Sequence, residues 1–301
     1  MAQKTAFIAI VGRPNVGKSS ILNKILGQKI TIVSSKPQTT RTRIMGVYTK
    51  DDIQLVFIDT PGLHKPRNSL GKYMVRSINE SVAGVDACLL AAESEKAPGD
   101  TEKVLMQRFD SLGIPAVLAL NKIDKLKEKS EIISTISSYG SEFDFDDIVP
   151  VSAHTGEGID ELITALSKQA SEGEHMFDPD TITDQPERVI AGEIIREKIL
   201  RLTDKEIPHG TAVVIERFKP RSEGGITDID ATIYCERAAH KGILIGKGGS
   251  MLKKIGSYAR HDMESFFDCK VNLTLWVKVK EDWRNREGIL RSLGYDQNNF
   301  D

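Results

Sequence analysis

One short stretch near the N-terminus restricts the fold of this chain more than any other feature. Residues 12–19 read Gly-Arg-Pro-Asn-Val-Gly-Lys-Ser and lie between a short apolar run, residues 5–11, and a helical pattern. A glycine-rich loop between a strand and a helix turns backbone N–H groups toward phosphate oxygens, and the helix adds its positive N-terminal end. Gly17 permits the bend, Lys18 is placed for the β- and γ-phosphates, and the Ser19 hydroxyl is placed for Mg²⁺. The stretch therefore predicts a strand, a phosphate-binding loop and a helix.

Strands and helices alternate over the first 170 residues. The predicted strands cover residues 5–11, 43–50, 53–59, 87–92, 115–120 and 148–151. The predicted helices cover residues 18–26, 71–82, 100–112, 130–138 and 158–169. Strands separated by helices of this length predict an α/β domain with a mostly parallel sheet and helices on both faces.

The pattern changes after residue 170. Residues 171–186 are acidic, polar and interrupted by proline, which is typical of a linker. A helix is predicted at 187–202, two strands at 211–218 and 227–235, a long helix at 250–267, a strand at 271–279 and a last helix at 282–293. The predicted domains are therefore an α/β domain at 1–170, a linker at 171–186 and a smaller α+β domain at 187–301.

Composition excludes several classes of protein. The chain has 301 residues, of which 40% are apolar and 28% charged, as in globular proteins with a buried core. No apolar run approaches the roughly 18 residues of a membrane-spanning helix, and the N-terminal run is too short for a signal peptide. Cys88, Cys235 and Cys269 are widely spaced and suit reduced thiols better than a disulfide or metal framework. We expect a cytoplasmic protein.

A second motif of the α/β domain ends a predicted strand. Asp59-Thr60-Pro61-Gly62 places a carboxylate where it can hold Mg²⁺ through water, and the Gly62 amide where it can meet the γ-phosphate. An Asp-x-x-Gly sequence by itself is more often a simple turn. Its position at a strand end, downstream of the phosphate loop, favours the functional interpretation.

Two further motifs predict a guanine site. Asn121-Lys122-Ile-Asp124 ends another predicted strand, and the Asp124 carboxylate can accept the two donors, N1–H and the exocyclic amine, that guanine offers and adenine does not. Rejection of adenine follows because the wrong base leaves buried polar groups unpaired. Ser152 and Ala153 follow the last strand and can direct a backbone N–H toward the guanine oxygen.

These four motifs, in this order, resemble the translation-factor-type P-loop GTPases whose phosphate loop reads GxPNVGKS. The resemblance implies GTP/GDP and Mg²⁺ as ligands and a threonine in the first switch loop, which is Thr40, with Thr39 as the alternative. It implies catalytic roles for Lys18, Asn15, Thr40 and Gly62, and metal contacts from Ser19, Thr40 and Asp59. The residues assigned to the nucleotide are Gly12, Arg13, Pro14, Asn15, Val16, Gly17, Lys18, Ser19, Ser20, Asp59, Thr60, Pro61, Gly62, Asn121, Lys122, Asp124, Ser152 and Ala153.

One position departs from the Ras pattern. Ras-like enzymes place a glutamine after Asp-x-x-Gly to orient the attacking water, whereas this chain has Leu63, so slow intrinsic hydrolysis is expected. In related GTPases without this glutamine, the loop asparagine can hold K⁺ beside the phosphates, and Asn15 matches that asparagine. The alternative is that Asn15 only caps the loop.

A second glycine loop lies in the C-terminal domain. Gly246-Lys247-Gly248-Gly249 stands between two predicted helices and has neither the spacing of a nucleotide phosphate loop nor an acid for magnesium. It resembles the GxxG loop of KH domains, which clamps the backbone of about four single-stranded nucleotides. Residues 237–261 contain six lysines and arginines and no acid. The resemblance assigns RNA contacts to Ile243, Ile245, Gly246, Lys247, Gly248, Gly249, Lys253 and Lys254, with strand residues such as Ile233 lining the base groove.

The helix and strand that precede this module resemble the type II KH arrangement. A GTPase of this branch joined to a type II KH domain implies binding of single-stranded RNA near the 3′ end of 16S ribosomal RNA and assembly of the small ribosomal subunit. It also implies that the GTP state, acting through residues 34–42 and 60–71, sets RNA affinity. The same resemblance implies a fraction at the inner face of the cell membrane. We expect a monomer that binds RNA rather than DNA.

Two other functions stay open on the sequence. The chain could be a GTPase that acts on a protein or membrane partner, with the KH module as a scaffold. It could also be an ATPase that modifies or remodels RNA, although Asp124 argues against adenine.

Overall fold

The structure is a computed structural model that describes residues 2–63, 66, 68–128 and 130–295. Contacts between Cα atoms divide the chain into two compact units. The first unit consists of Met1–Thr31, Thr40–Lys65 and Met74–Asp184. The second unit consists of Ile32–Thr39, Pro66–Tyr73 and Gln185–Asp301. The predicted segment 60–71 includes positions 64, 65 and 67, which lie outside the described residues, as do positions 296–301 of the predicted KH domain.

A sheet of seven strands forms the centre of the first unit. Six of them follow the order β2-β3-β1-β4-β5-β6, and only the β2–β3 pair among these six is antiparallel. Their bounds are β1 Lys4–Val11, β2 Ile44–Lys50, β3 Ile53–Asp59, β4 Ala87–Glu93, β5 Ala116–Asn121 and β6 Asp147–Pro150. Because β1, β3, β4 and β5 are parallel, their carboxyl ends lie along one edge, where ligands bind in sheets of this kind.

Helices cover both faces of this sheet. They are α1 Lys18–Leu26, α2 Ser69–Val82, α3 Asp100–Leu112, α4 Glu131–Gly140 and α5 Ile159–Ser167. Ala9 and Val11 of β1 join an apolar cluster with Phe109 of α3. The alternate residues Ile8 and Ile10 point to the opposite face and are also fully buried. The predicted α/β class with a mostly parallel, doubly covered sheet is confirmed.

The segment predicted as a linker is hydrogen-bonded to the first unit over much of its length. Strand β7, Ser171–Glu172, pairs antiparallel with β1. The Gln54 side chain donates to the Phe177 carbonyl at 2.9 Å, and the Val47 N–H donates to the Ile182 carbonyl at 2.8 Å. These bonds use mainly backbone groups of the segment, which every residue type carries, so its composition gave no sign of them.

From residue 185 onward, the second unit has the element order α-β-β-α-α-β-α. Its elements are α6 Glu187–Leu202, β8 Thr211–Pro220, β9 Ile226–Cys235, α7 Ala238–Ile245, α8 Ser250–Phe267, β10 Lys270–Val279 and α9 Glu287–Ser292. The sheet order is β10-β9-β8, with β8 antiparallel and β10 parallel to β9. Ile194 of α6, Ile229 of β9 and Ile255 of α8 belong to one buried apolar cluster. The predicted smaller α+β module is confirmed.

The prediction of one continuous helix at 282–293 is wrong. A 3₁₀ turn, Trp283–Asn285, is separated from α9 by Arg286, which is extended, and Asp282 before the turn has a φ of 50°. Trp283 is fully buried and donates its indole N–H to the Gly210 carbonyl at 3.0 Å. Burial of this large side chain and its hydrogen bond determine the local backbone, because a single continuous helix would not place the indole in this position.

The structure also describes the cysteines and the helices to which the composition drew attention. Cys88, Cys235 and Cys269 are free thiols. Within the described ranges, no helix has both the length and the apolar character needed to cross a membrane.

Candidate nucleotide and nucleic-acid sites

The loop that joins β1 to α1 has a backbone that requires glycine at two positions. Gly12 has a φ of 144°, and a Cβ there would lie 2.3 Å from the Ala91 carbonyl oxygen. Gly17 has a φ of 104°, and a Cβ there would lie 2.1 Å from the Asn121 amide nitrogen. Asn15 also has a positive φ of 65°, which asparagine tolerates better than most residues. The loop is therefore curled tightly against the carboxyl edge of the sheet.

Lys18 lies under this loop and is almost fully buried. Its ammonium group donates to the carbonyl oxygens of Gly12 at 3.1 Å and Arg13 at 3.0 Å. Burial lowers the pKa of Lys18 to about 8, and the nearby Asp59 carboxylate partly offsets that change. The side chain thus holds a positive charge at the centre of the loop, where phosphate groups would be bound.

The three side chains predicted to bind metal lie together. The Ser19 hydroxyl donates to Asp59 Oδ2 at 2.6 Å, and its oxygen lies 2.9 Å from the Thr40 hydroxyl oxygen. Thr39, the alternative to Thr40, instead donates its hydroxyl to the Lys36 carbonyl at 2.6 Å. The geometry therefore favours Thr40 over Thr39 as the threonine of the metal site.

The Asp59 carboxylate suits a hard cation. It is fully buried, and its Oδ1 atom accepts no hydrogen bond from the part of the chain that the structure describes. Burial raises the pKa of Asp59 to about 6, although the Ser19 hydrogen bond and the Lys18 charge oppose that increase. A buried carboxylate with a spare oxygen beside two hydroxyl groups is an all-oxygen donor set, as Mg²⁺ prefers when phosphates complete its coordination.

The Asp-x-x-Gly turn packs directly against the phosphate loop. A Cβ on Gly62 would lie 2.7 Å from the Cα atom of Pro14, so only glycine fits there. The Leu63 N–H donates to the Gly12 carbonyl at 3.2 Å, and the Thr60 hydroxyl donates to a β1 carbonyl at 2.8 Å. Leu63 is partly buried against the apolar cluster, and its side chain has no polar atom with which to orient water.

The predicted guanine motif forms a connected set of hydrogen bonds. Asn121 donates its amide to the Val16 carbonyl at 2.8 Å and accepts the Ala153 N–H at 3.0 Å. Ser152 donates its hydroxyl to Asp124 Oδ1 at 2.6 Å, and the Asp124 side chain is exposed. Asn121 thus ties the base motif to the phosphate loop, while Ser152 orients a carboxylate that stays accessible to a ligand.

Lys122 connects the guanine motif to the phosphate loop, and it also binds an acidic residue that the sequence did not reveal. Its ammonium group donates to the Asn15 carbonyl at 2.7 Å and forms an ion pair with Glu93. Burial alone would raise the pKa of Glu93, but hydrogen bonds and charges from Lys122 and Lys96 lower it to about 2. The one available signal was that Glu93 ends strand β4, at the same edge as Asp59 and Asn121.

The Arg13 side chain binds another acidic residue that could not be identified from the sequence. Its guanidinium forms an ion pair with Glu102 of α3, which is fully buried. The other Glu102 oxygen accepts the Gly99 N–H at 3.2 Å. The Arg13 side chain is therefore bound to α3, which leaves its backbone as the part that faces the loop. Among the other predicted nucleotide residues, Val16 and Pro61 are buried, Asn15 is exposed and Ser20 is partly exposed in α1.

The glycine loop between α7 and α8 also has a backbone that excludes most side chains. Gly246 has a φ of 73°, and a Cβ there would lie 2.8 Å from Met251. Gly248 and Gly249 have φ values of 58° and 81°. The Lys247 side chain is exposed at the tip. This geometry permits close approach of another backbone, with a positive charge beside it.

Two of the three predicted groove residues are accessible. Ile243 is 49% exposed on α7, and Ile245 is partly exposed while it packs against the apolar core. Ile233 is fully buried, so its predicted place in the groove lining is wrong. Alternation along β9 turns Ile233 toward the helices, where it supports the core.

Helix α8 carries an exposed aromatic residue that the sequence reasoning did not single out. Tyr258 is 49% exposed, and the Lys254 ammonium lies 5.8 Å from its ring centroid. Lys253 is exposed beside Lys254. The i, i+4 spacing of Lys254 and Tyr258 was the available signal. A basic and aromatic surface of this kind can bind phosphates and stack bases.

Comparisons with protein families agree with both units. A family model described as "50S ribosome-binding GTPase" matches residues 7–122, and a model described as "KH domain" matches residues 206–284. Together with the fold and the motifs, these matches define the class: a P-loop GTPase with a C-terminal KH domain.

Full-length relatives identify the family. GTPase Era of Ruminiclostridium cellulolyticum is 49% identical over 99% of both chains, and GTPase Era of Clostridioides difficile is 47% identical over 97% of this chain and 99% of the relative. This chain therefore belongs to the GTPase Era family, whose members hydrolyse GTP.

Two solved structures match nearly the whole chain, each with a TM-score of 0.94 and 38% identity over 97% of this chain and 99% of the other. One is Era in complex with MgGDPNP and nucleotides 1506–1542 of 16S ribosomal RNA. The other is an Aquifex aeolicus Era variant bound to GDP·AlF4⁻.

Proposed function

We propose that this GTPase binds single-stranded RNA near the 3′ end of 16S ribosomal RNA and assists assembly of the small ribosomal subunit. The observation that carries the proposal is the GxxG loop of the second unit, which is built for close approach of a nucleic-acid backbone. The 38% identical Era, bound to nucleotides 1506–1542 of 16S ribosomal RNA, supports the choice of RNA. Sequencing of RNA crosslinked to the GTP-bound protein tests it, and a crosslink profile without the 16S 3′ end would contradict it.

In the first unit, we propose that Ser19, Thr40 and Asp59 hold Mg²⁺ beside the phosphates of GTP. The Ser19 hydroxyl already lies within hydrogen-bond distance of both the Thr40 hydroxyl and the Asp59 carboxylate, so little rearrangement is needed to direct the three groups at one cation. When bound, Mg²⁺ supplies charge that stabilises the phosphate oxygens during transfer.

The catalytic roles of Lys18 and Gly62 are proposed from their positions in the structure. Lys18 directs its ammonium group to the β- and γ-phosphates in exchange for the loop carbonyls it now binds. The Gly62 amide lies in a turn packed on the phosphate loop and donates to the γ-phosphate. Both contacts stabilise charge that grows in the transition state, which is the main contribution of such sites.

We propose that Asp124, oriented by Ser152, selects guanine, while Asn121 and Lys122 hold the base motif against the phosphate loop. An ATPase function is disfavoured because, in the same pose, this carboxylate would face adenine N1, which is an acceptor without a hydrogen, and C2–H, which carries no amine. Competition of ATP against GTP for the protein tests the choice.

K⁺ is expected to accelerate hydrolysis through Asn15. This residue is exposed on the loop, and Leu63 cannot orient the attacking water, so a monovalent cation beside the phosphates would supply missing positive charge. We expect GTP hydrolysis to be about ten-fold faster in K⁺ than in Na⁺ at matched ionic strength. Single-turnover rates measured in the two salts check this.

The matched variant for this test is Asn15→Gly, because glycine accepts the φ of 65° at this position without strain. It should remove the difference between K⁺ and Na⁺. Equal rates in the two salts for the unmodified protein would show that Asn15 only caps the loop.

We also propose a cytoplasmic location with a fraction at the inner face of the membrane, on the basis of the family alone. Fractionation of cells, with the protein detected in soluble and membrane fractions, tests both parts.

A further inference from the structure

A short segment that precedes Thr40 packs within the second unit. This 32–39 segment, Ile32–Thr39, is grouped by its contacts with the residues of that unit. Its Val33 N–H donates to Glu197 of α6 at 3.2 Å. Its Lys36 ammonium donates to the Thr203 carbonyl, just after α6, and to Asp204 at 2.8 Å. The segment is therefore bound along one helix, α6.

Arg196 of α6 contacts the same segment with a fully buried side chain. Its side chain is 1% exposed, and its guanidinium donates to the carbonyl oxygens of Gln38, at 3.4 Å, and Thr39. The same group forms a two-bond ion pair with Glu193, with distances of 2.8 and 2.5 Å. A buried guanidinium is costly unless its donors are satisfied, and here two backbone carbonyls and one carboxylate satisfy them.

The backbone that Arg196 binds is itself strained. Gln38 has a φ of 60°, a left-handed conformation that is uncommon for residues other than glycine and asparagine. Such conformations persist where surrounding contacts hold them. The two carbonyls bound by Arg196 belong to Gln38 and its neighbour Thr39, so the contact stabilises this conformation directly.

Thr40, the next residue, is the threonine of the proposed metal site. Its hydroxyl oxygen lies 2.9 Å from that of Ser19, which in turn binds Asp59. The carbonyl of Thr39 belongs to the peptide bond that leads into Thr40. The direction in which the chain enters the metal site therefore depends on a peptide group that Arg196 holds.

We propose that Arg196 is a positioning residue for the GTP state: from α6, it holds the Gln38 and Thr39 carbonyls so that Thr40 is presented to Mg²⁺ and the γ-phosphate. Glu193 orients the guanidinium, and Lys36 and Glu197 fasten the rest of the segment. The inference rests on the proposed role of Thr40 in binding Mg²⁺.

Thermodynamic linkage gives this contact a second consequence. If the α6 contact favours binding of GTP with Mg²⁺, then GTP with Mg²⁺ must favour the α6 contact by the same factor. GDP has no γ-phosphate for Thr40 to sense, so it should depend on Arg196 far less. Amides of the 32–39 segment should therefore exchange with solvent more slowly with a GTP analogue than with GDP.

The test compares Arg196→Met with Arg188→Met in the full-length protein. Arg188 lies on the same helix but donates to the Ile215 carbonyl, so it is a matched control that does not contact the 32–39 segment. With Mg²⁺ present, Arg196→Met should weaken binding of a non-hydrolysable GTP analogue about ten-fold and change GDP binding less than about two-fold. The control should change neither affinity. Hydrogen exchange of peptides covering residues 32–39 should lose its dependence on the GTP analogue only in Arg196→Met.

Arg196→Met could disturb the fold, so a second variant keeps the test decisive. Lys36→Met removes a partly exposed contact of the segment and leaves α6 intact. It should shift the ratio of GTP-analogue to GDP affinity in the same direction, by about three-fold. Arg196→Lys should give an intermediate value, because one ammonium group cannot reproduce the fork of a guanidinium.

Two results separate the possible failures. If Thr40→Ala loses discrimination between the GTP analogue and GDP while Arg196→Met and Lys36→Met keep it, Arg196 has only a structural role and the inference is overturned. If Thr40→Ala itself keeps full discrimination, the proposed metal role of Thr40 fails and the inference fails with it.

Discussion

Asp124→Asn lowers the affinity for GTP by about a thousand-fold, or about 4 kcal/mol, since two charge-assisted hydrogen bonds to guanine are lost or weakened. The carboxylate is exposed toward solvent and oriented by the Ser152 hydroxyl at 2.6 Å, so it is ready to accept two donors at once. An asparagine accepts only with its oxygen, and its NH₂ group faces the exocyclic amine of guanine, which is also a donor.

The same change should favour a different base. Xanthine carries a carbonyl where guanine carries the amine, so the asparagine can donate to it and still accept N1–H. We expect xanthosine triphosphate to bind the variant better than GTP does. Displacement of fluorescent GDP by GTP, ATP and xanthosine triphosphate measures all three affinities.

Asp144→Asn is the control for this experiment, because Asp144 is an exposed aspartate of the same unit and lies outside the nucleotide motifs. It should leave all three affinities unchanged. A GTP affinity within about ten-fold of the unmodified protein in Asp124→Asn would place guanine recognition elsewhere. Strong binding of ATP by the unmodified protein would revive the ATPase alternative.

The double substitution Gly246→Asp with Gly248→Asp should reduce RNA affinity by about a hundred-fold while intrinsic GTP hydrolysis continues. At Gly246 a Cβ would meet Met251 at 2.8 Å, and the φ of 58° at Gly248 strains any residue with a side chain. The two new carboxylates would also repel the phosphates that Lys247 attracts. Binding of a single-stranded oligonucleotide from the 16S 3′ end, together with the GTPase rate without RNA, measures both effects.

The control places the same substitutions at another glycine pair. Gly224→Asp with Gly225→Asp adds two carboxylates at positive φ values, 84° and 58°, in the turn between β8 and β9, where a Cβ would meet no atom closer than 3.9 Å. It should leave RNA affinity largely unchanged. If the GxxG double variant binds RNA as well as the unmodified protein, the KH module is better described as a scaffold for a protein or membrane partner.

Most secondary structure could be predicted because its signals are local. The predicted bounds of α1, α3, α6 and α8 are confirmed without change. Glycines flank α1 at both ends, with Gly17 before it and Gly27 after it, and Gly113 ends α3 in the left-handed conformation that stops a helix. The last helix failed because burial of Trp283, a non-local contact, decides the backbone there.

The candidate nucleotide site could be outlined from sequence because each motif ends a strand of one parallel sheet, which brings the motifs to one edge. What could not be predicted was the set of partners that hold the motifs. Glu93 lies 29 positions from Lys122, and Glu102 is still farther along the chain from Arg13. Charged residues of this kind look like ordinary surface positions in the sequence, whereas the fold buries Glu102 fully and Glu93 partly.

The sequence by itself determined the type of fold, the order of the two modules and the chemistry of both glycine loops. These depend on short patterns that act locally, within a few residues, such as a glycine that admits a positive φ. Only the tertiary structure decided that Thr40 rather than Thr39 lies beside Ser19, that Ile233 is buried, and that the 32–39 segment is held by Arg196 of α6. Those outcomes depend on contacts between residues far apart in the chain, as from Thr39 to Arg196 at a separation of 157 positions. No local pattern encodes which distant side chain will meet a given backbone group.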